Sequence, residues 1–123
     1  MTANQRNYRS VHIWYRPDYL KEKRIGMGVI LYENIPGSAV LHKRCPAWQE
    51  AVLASDAEAD ILLLNQMLDS IEDAIRSDRE FVEKAREWNS FVEVEESTLF
   101  SAEPPALLLD ALIKSSVFHR ACL

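Results

Sequence analysis

The sequence predicts an α+β domain: a largely antiparallel sheet that starts with a three-strand meander and is covered by helices, in the order βββ-ααα-β-α. Three observations support this. Two β-branched and aromatic runs, "YRSVHIWY" and "RIGMGVILYEN", precede a Pro-Gly turn. Ile61, Leu64, Leu68, Ile71 and Ile75 then recur at helical spacing. The period returns to two at "FVEVEE", ahead of a last proline-led apolar segment.

Tyr8–Tyr15 alternates Val11, Ile13 and Tyr15 on one side with Tyr8, Ser10, His12 and Trp14 on the other. Arg16-Pro17-Asp18 ends this strand, because proline removes a ladder donor and favours a turn. Arg24–Tyr32 is the second strand. Strict alternation puts Ile25, Met27, Val29 and Leu31 on one face and Gly26, Gly28, Ile30 and Tyr32 on the other. Glycine weakens a strand, so this pair marks a bulge or a flat face that another element, or a partner, approaches closely. Pro36-Gly37 centres a type II turn, proline fixing φ and glycine taking the positive φ. Ser38–Lys43 returns antiparallel, which leaves the glycine strand central.

The middle of the chain reads as helical. Pro46–Leu53 forms a short helix with Trp48, Val52 and Leu53 turned inward. From Asp56 to about Arg76 the apolar stripe defines a longer helix, and Leu62, Leu63 and Met67 widen it enough to pack on two sides. Ser77-x-x-Glu80 reads as a capping box that opens a further helix with Phe81, Ala85 and Trp88 as its apolar positions. After Asn89 comes a strand with Val92 and Val94 inward and Glu93 and Glu95 outward. Proline opens the last helix, "PPALLLDALIKSSVF", where the first turn tolerates it. Leu108, Leu112 and Ser115 mark one side of that helix, with Leu109 and Ile113 beside it. Helices on one sheet face would leave the other face, or part of it, available.

At 123 residues the chain is a single domain, 1–123, large enough to bury a core without metal or disulfide support. Apolar residues make up 48% and charged residues 27%, an ordinary globular composition that argues against disorder outside the ends. The first ten residues are polar, without the apolar run of a signal peptide, and the longest apolar runs fall far short of the roughly 20 residues of a membrane span. The expected location is the cytoplasm. Cys45 and Cys122, far apart in sequence, are expected as free thiols.

Charge divides the chain. Residues 1–53 hold eight Lys/Arg against four Asp/Glu, and residues 54–123 hold six against fifteen, for a net charge of −5. An acidic second half repels phosphates and makes nucleic acid an unlikely partner; it suits a basic protein surface. In the first half, Arg6, Arg9, Arg16, Lys21, Lys23, Arg24, Lys43 and Arg44 are interleaved with Tyr8, Trp14 and Tyr19. This mixture fits a protein-binding patch better than a single-strand nucleic-acid platform, because the aromatic pattern of an RNA-binding sheet is absent.

Catalytic and cofactor motifs are weak. The glycines do not open a helix after a strand, as a dinucleotide fingerprint requires, and no Gly-x-x-x-x-Gly-Lys-Ser/Thr occurs. His12, His42 and His119 have no ligand spacing, although neighbouring strands would have the means to gather His12 and His42. His42 and Cys45 are the only local nucleophile–base candidate, and no third orienting group accompanies them. Glu72–Asp73 and Glu93–Glu95 read as cap or exposed strand positions. The expectation is no cofactor, no metal and no catalytic residue.

"YRPD", then five residues, then "RIGMGVILYEN" resembles the opening of the bacterial domain-of-unknown-function family 3037. Tyr15, Pro17 and Asp18 match its turn, and Gly28, Val29, Leu31 and Tyr32 match its second strand. Gly26 stands where the family often has asparagine, which removes a possible polar contact. "WNSFVEVEESTLFSAEPPALLLDAL" is similar to the family's closing strand and helix. The resemblance spans nearly the whole chain through short structural motifs. It implies no established activity. It does imply a small accessory protein of the kind encoded beside kinases similar to HipA, hence a non-enzymatic, regulatory companion of such a kinase.

The residues that these readings select for partner contact are Trp14, Tyr19, Gly26, Gly28 and Trp48 on the sheet side, and Asp69, Glu72 and Asp73 on the acidic helix. Trp14, Tyr19 and Trp48 would be the anchors. The alternative is a phage- or island-encoded inhibitor whose acidic helices cover a nucleic-acid-binding surface of its target.

Overall fold

The computed structural model describes residues 5–16, 24–77 and 92–121, with side chains of the last segment described to residue 115. Strands β1 (Arg6–Tyr15), β2 (Ile25–Glu33) and β3 (Val40–Arg44) are followed by helices α1 (Trp48–Ser55) and α2 (Ile61–Ser77), strand β4 (Val92–Ser101) and helix α3 (Pro105–Ala121). The strands form one antiparallel sheet in the order β3-β2-β1-β4, with β2 interior. The expected α+β class and meander are therefore present. The helix expected over Phe81, Ala85 and Trp88 lies outside the described residues, as do Tyr19, the turn at Pro17 and Asp18, and Cys122. Ser77 belongs to α2 itself, its Oγ donating to the Asp73 carbonyl at 3.2 Å.

The turn between β2 and β3 forms as its residues dictate. The Ser38 amide donates to the Ile35 carbonyl at 3.3 Å, and Gly37 has φ 79°, which the third position of a type II turn requires.

Helices flank both faces of the sheet, not one. Neighbouring residues on β3 establish this. Lys43 Nζ donates to Asp110 Oδ1 of α3 at 2.5 Å, whereas His42 and Arg44 both reach Glu72 of α2. Successive strand side chains point to opposite faces, so α2 and α3 lie on opposite sides. Both faces of β2 are consequently buried. The core combines Val11, Ile13 and Tyr15 with Ile30, Val52, Leu68, Ile71 and Ile75, and continues through Tyr8, Leu31, Leu108 and Ile113.

The strict alternation expected of β2 fails at one residue. Ile13 pairs with Gly28 and Trp14 with Gly26, which leaves Met27 as an extra residue in β2. This is a β-bulge. Its consequence is that Gly26 and Gly28 pair with adjacent β1 residues, which face opposite sides, so the two glycines do not share a face. Both are buried.

Helix faces also differ in detail. Trp48 and Val52 are buried as expected, but Leu53 is 41% exposed. Leu64, Leu68, Ile71 and Ile75 form the inner stripe of α2, while Leu62 and Leu63 are 69% and 49% exposed. A single inner stripe is all that one helix on a sheet buries. On α3, Leu108, Leu109 and Ile113 are buried and Ser115 is exposed.

Candidate functional site

The charge asymmetry of the sequence is used inside the fold. Arg9 pairs with Glu96, Arg16 and Arg24 with Glu93, Arg24 also with Glu95, Lys43 with Asp110, and Arg44 with Asp69 and Glu72. Basic strands of the first half thus meet acidic elements of the second half.

Arg44 is the densest junction. Its Nε donates to Glu72 Oε1 at 3.0 Å, one terminal nitrogen to Asn65 Oδ1 at 3.2 Å and the other to Asp69 Oδ1 at 2.7 Å. His42 Nδ1 lies 3.3 Å from Glu72 Oε2. Glu72 is buried mid-helix, where an unpaired carboxylate would be costly, so this fork of donors compensates it. Gly28 makes the arrangement possible. A Cβ at Gly28 would stand 3.1 Å from the Lys43 carbonyl oxygen and 3.5 Å from Arg44 Cδ. The missing side chain lets β3 and the stem of Arg44 lie close across the sheet.

A second junction forms at the other end of the sheet. Arg24 sits over the Trp14 ring at 4.1 Å from its centroid, held by Glu93 at 3.2 Å and Glu95 at 3.1 Å. His12 stacks against Trp14 with ring centroids 6.0 Å apart. Burial holds the His12 imidazole below its ordinary pKa of 6.5; Arg24 acts in the same direction and Glu95 opposes it.

The residues selected from sequence fall as follows. Trp14 and Trp48, at 3% and 5% exposure, are core, as are Gly26 and Gly28. Asp69 and Glu72 are engaged by Arg44, and Asp73 lies 3.4 Å from Arg76. Glu72 is no exposed cap position. The structure brings Gly28, Asp69 and Glu72 together around Arg44 and leaves Trp14 and Gly26 at the opposite junction. His12 and His42 lie on opposite sheet faces, since His12 pairs with Val29, whose partner is Lys43, while His42 pairs with Ile30. Cys45 is 2% exposed, its amide donating to the Met27 carbonyl. Among the described residues no group of three or more His, Cys, Asp or Glu is placed to hold a metal ion, and no helix is long and apolar enough to cross a membrane.

Two surface concavities stand out among the described residues: one of about 240 Å³ whose lining includes Tyr8, Tyr32, Ile35, Leu41 and Pro105, and a groove where α1 gives way to α2. Tyr15, Asp56, Glu58, Ala59, Asp60, Leu63, Leu64 and Met67 line the groove, around a volume of about 200 Å³. Tyr15 donates its hydroxyl to Asp56 Oδ2 at 2.7 Å, and the Glu58 amide donates to Asp56 Oδ1 at 3.1 Å. Asp60 caps α2, its Oδ1 accepting from the Leu63 amide at 3.0 Å. Burial and the neighbouring Asp56 carboxylate push the Tyr15 phenol up to about 12. Asp56, Glu58 and Asp60 went unselected in the sequence, although a signal was present: no Lys or Arg occurs between Arg44 and Arg76.

Comparison with protein-family models, with curated proteins and with solved structures finds no match.

Proposed function

We propose that this chain is a non-enzymatic interaction protein that binds and regulates a protein partner, and that the partner is a kinase similar to HipA, as the family resemblance implies. The observation that supports binding is the pairing of adjacent, exposed Leu62 and Leu63 with an acidic groove, whereas the carboxylates around Arg44 and Arg24 are compensated within the chain. Large apolar side chains grouped on a polar-rimmed surface mark contact sites. The reading as a phage- or island-encoded inhibitor whose acidic helices cover a nucleic-acid-binding surface of its target has less support, because Asp69, Glu72 and Asp73 are each paired with Arg44 or Arg76 within the chain.

The test is co-purification of the folded chain with a kinase similar to HipA. A complex that persists at micromolar concentration supports the proposal. A folded chain that forms none overturns it.

A further inference from the structure

We infer that the groove between α1 and α2 seats a lysine or arginine side chain of the partner, with apolar residues of the same partner segment covering Leu62 and Leu63. This rests on the interaction reading above and names the surface and the chemistry it recognises.

The groove is small and open to solvent. Pockets for drug-sized ligands run to roughly 300–1,000 Å³, and this groove offers about 200 Å³, on the scale of one long side chain. Its lining has two chemistries. Ala59, Leu63, Leu64 and Met67 supply apolar surface, and Asp56, Glu58 and Asp60 supply carboxylates. A lysine or arginine has the complementary form, an apolar stem and a cationic head. A neutral apolar side chain would desolvate the carboxylates without compensation, and an acidic one would be repelled.

The groove gathers three carboxylates that have no cationic partner within the described residues. Asp69, Glu72, Glu93, Glu95, Glu96 and Asp110 each have a cationic partner within the chain. Among the described residues, no cation lies within ion-pair distance of Asp56, Glu58 or Asp60. Two of these carboxylates are already oriented, Asp56 by Tyr15 and the Glu58 amide, and Asp60 by the Leu63 amide. Preorganised acceptors reduce the ordering cost of binding. Leu62, exposed beside the lining residue Leu63, extends the contact beyond the groove.

The experiment measures fluorescence anisotropy of a dye-labelled amphipathic peptide of leucine and lysine, titrated with the full chain, beside a leucine–glutamate counterpart. The test variant is Glu58→Lys with Leu63→Ser. The control is Asp73→Lys with Leu107→Ser, which makes the same change in net charge and also removes one exposed leucine. Circular dichroism verifies that both fold. The lysine peptide binds, the test variant weakens it about tenfold or more, and the control changes it by less than about twofold. No binding, equal weakening in both variants, or equal affinity for the glutamate peptide overturns the inference. A kinase similar to HipA separates the two proposals. A kinase complex that tolerates the test variant unchanged removes the groove from the account and leaves the interaction reading standing. Failure of the wild-type chain to bind any kinase strikes that reading, and a lysine peptide still held by the groove keeps the inference.

Discussion

Arg44 reaches from the edge strand β3 to the buried carboxylate of Glu72 on α2, its Nε donating to Oε1 at 3.0 Å. This contact ties one helical layer to the sheet, and Asp69 and Asn65 extend it over two further turns of α2. The Glu72 side chain is 7% exposed and that of Arg44 is 26% exposed, so solvent screens the pair only in part.

Arg44→Ala leaves Glu72 buried without its main partner. The expected cost is about 2–3 kcal/mol, below the full penalty for a completely buried pair because Arg44 is partly solvated. Equilibrium urea unfolding measures it as a lower midpoint at unchanged slope. The double change Arg44→Met with Glu72→Leu recovers most of the loss, since it removes both charges. A single variant with wild-type stability would show that the pair does not hold α2.

Gly28→Ala places a methyl group 3.1 Å from the Lys43 carbonyl oxygen, a backbone atom that yields only if β3 moves. The cost is about 1–3 kcal/mol, typical of overpacking. Gly37→Ala meets no atom within 4 Å but must hold φ near 79°, at a cost of about 1–2 kcal/mol. Thermal unfolding of the two variants compares them. In Gly28→Ala the amide signals of β3 shift as well, whereas in Gly37→Ala the changes stay at the turn.

Tyr15 ionises near 12, well above the ordinary 10, because burial and the Asp56 carboxylate oppose the phenolate. A folded pKa above the unfolded one contributes stability that is present in full below pH 10 and is lost as pH rises through about 12. Ultraviolet titration of the wild-type chain beside Tyr15→Phe isolates the Tyr15 step. Asp56→Asn moves that step down toward 10, and a step that stays in place would mean that Asp56 is not the cause.

His12 behaves in the opposite sense. Its folded pKa lies below 6.5, so the unfolded chain takes up the proton first. The associated stability is complete above 6.5 and is lost as pH falls through 6.5 toward the depressed folded value. An imidazole titration followed by NMR shows this depression. Glu95→Gln lowers the value further, because Glu95 is the charge that favours the imidazolium.

Much of the fold was legible from local pattern. The stripe Leu64, Leu68, Ile71 and Ile75, the alternation of Val92 and Val94, and the Pro36-Gly37 turn are each specified by residues a few positions apart. What was not legible depends on distant partners. The Met27 bulge is hidden because β2 is apolar on both faces, so its pattern does not fix the register. Leu62 and Leu63 belong to the run "ILLL", in which every helical direction is apolar and periodicity cannot tell the inner side from the outer. Glu72 reads as surface until Arg44, 28 residues earlier in the chain, is seen to reach it. The groove depends on Tyr15 meeting Asp56 across 41 residues. Its acidic rim was visible only as a long interval without cations.

The most direct test of the proposal that this domain binds a protein partner through the junction of α1 and α2 is NMR mapping of backbone amides during titration with a kinase similar to HipA. The account predicts perturbations concentrated at Asp56–Asp60 and Leu62–Met67, with the interior of β2 unchanged. A complex whose perturbations lie elsewhere, with those residues silent, would contradict it.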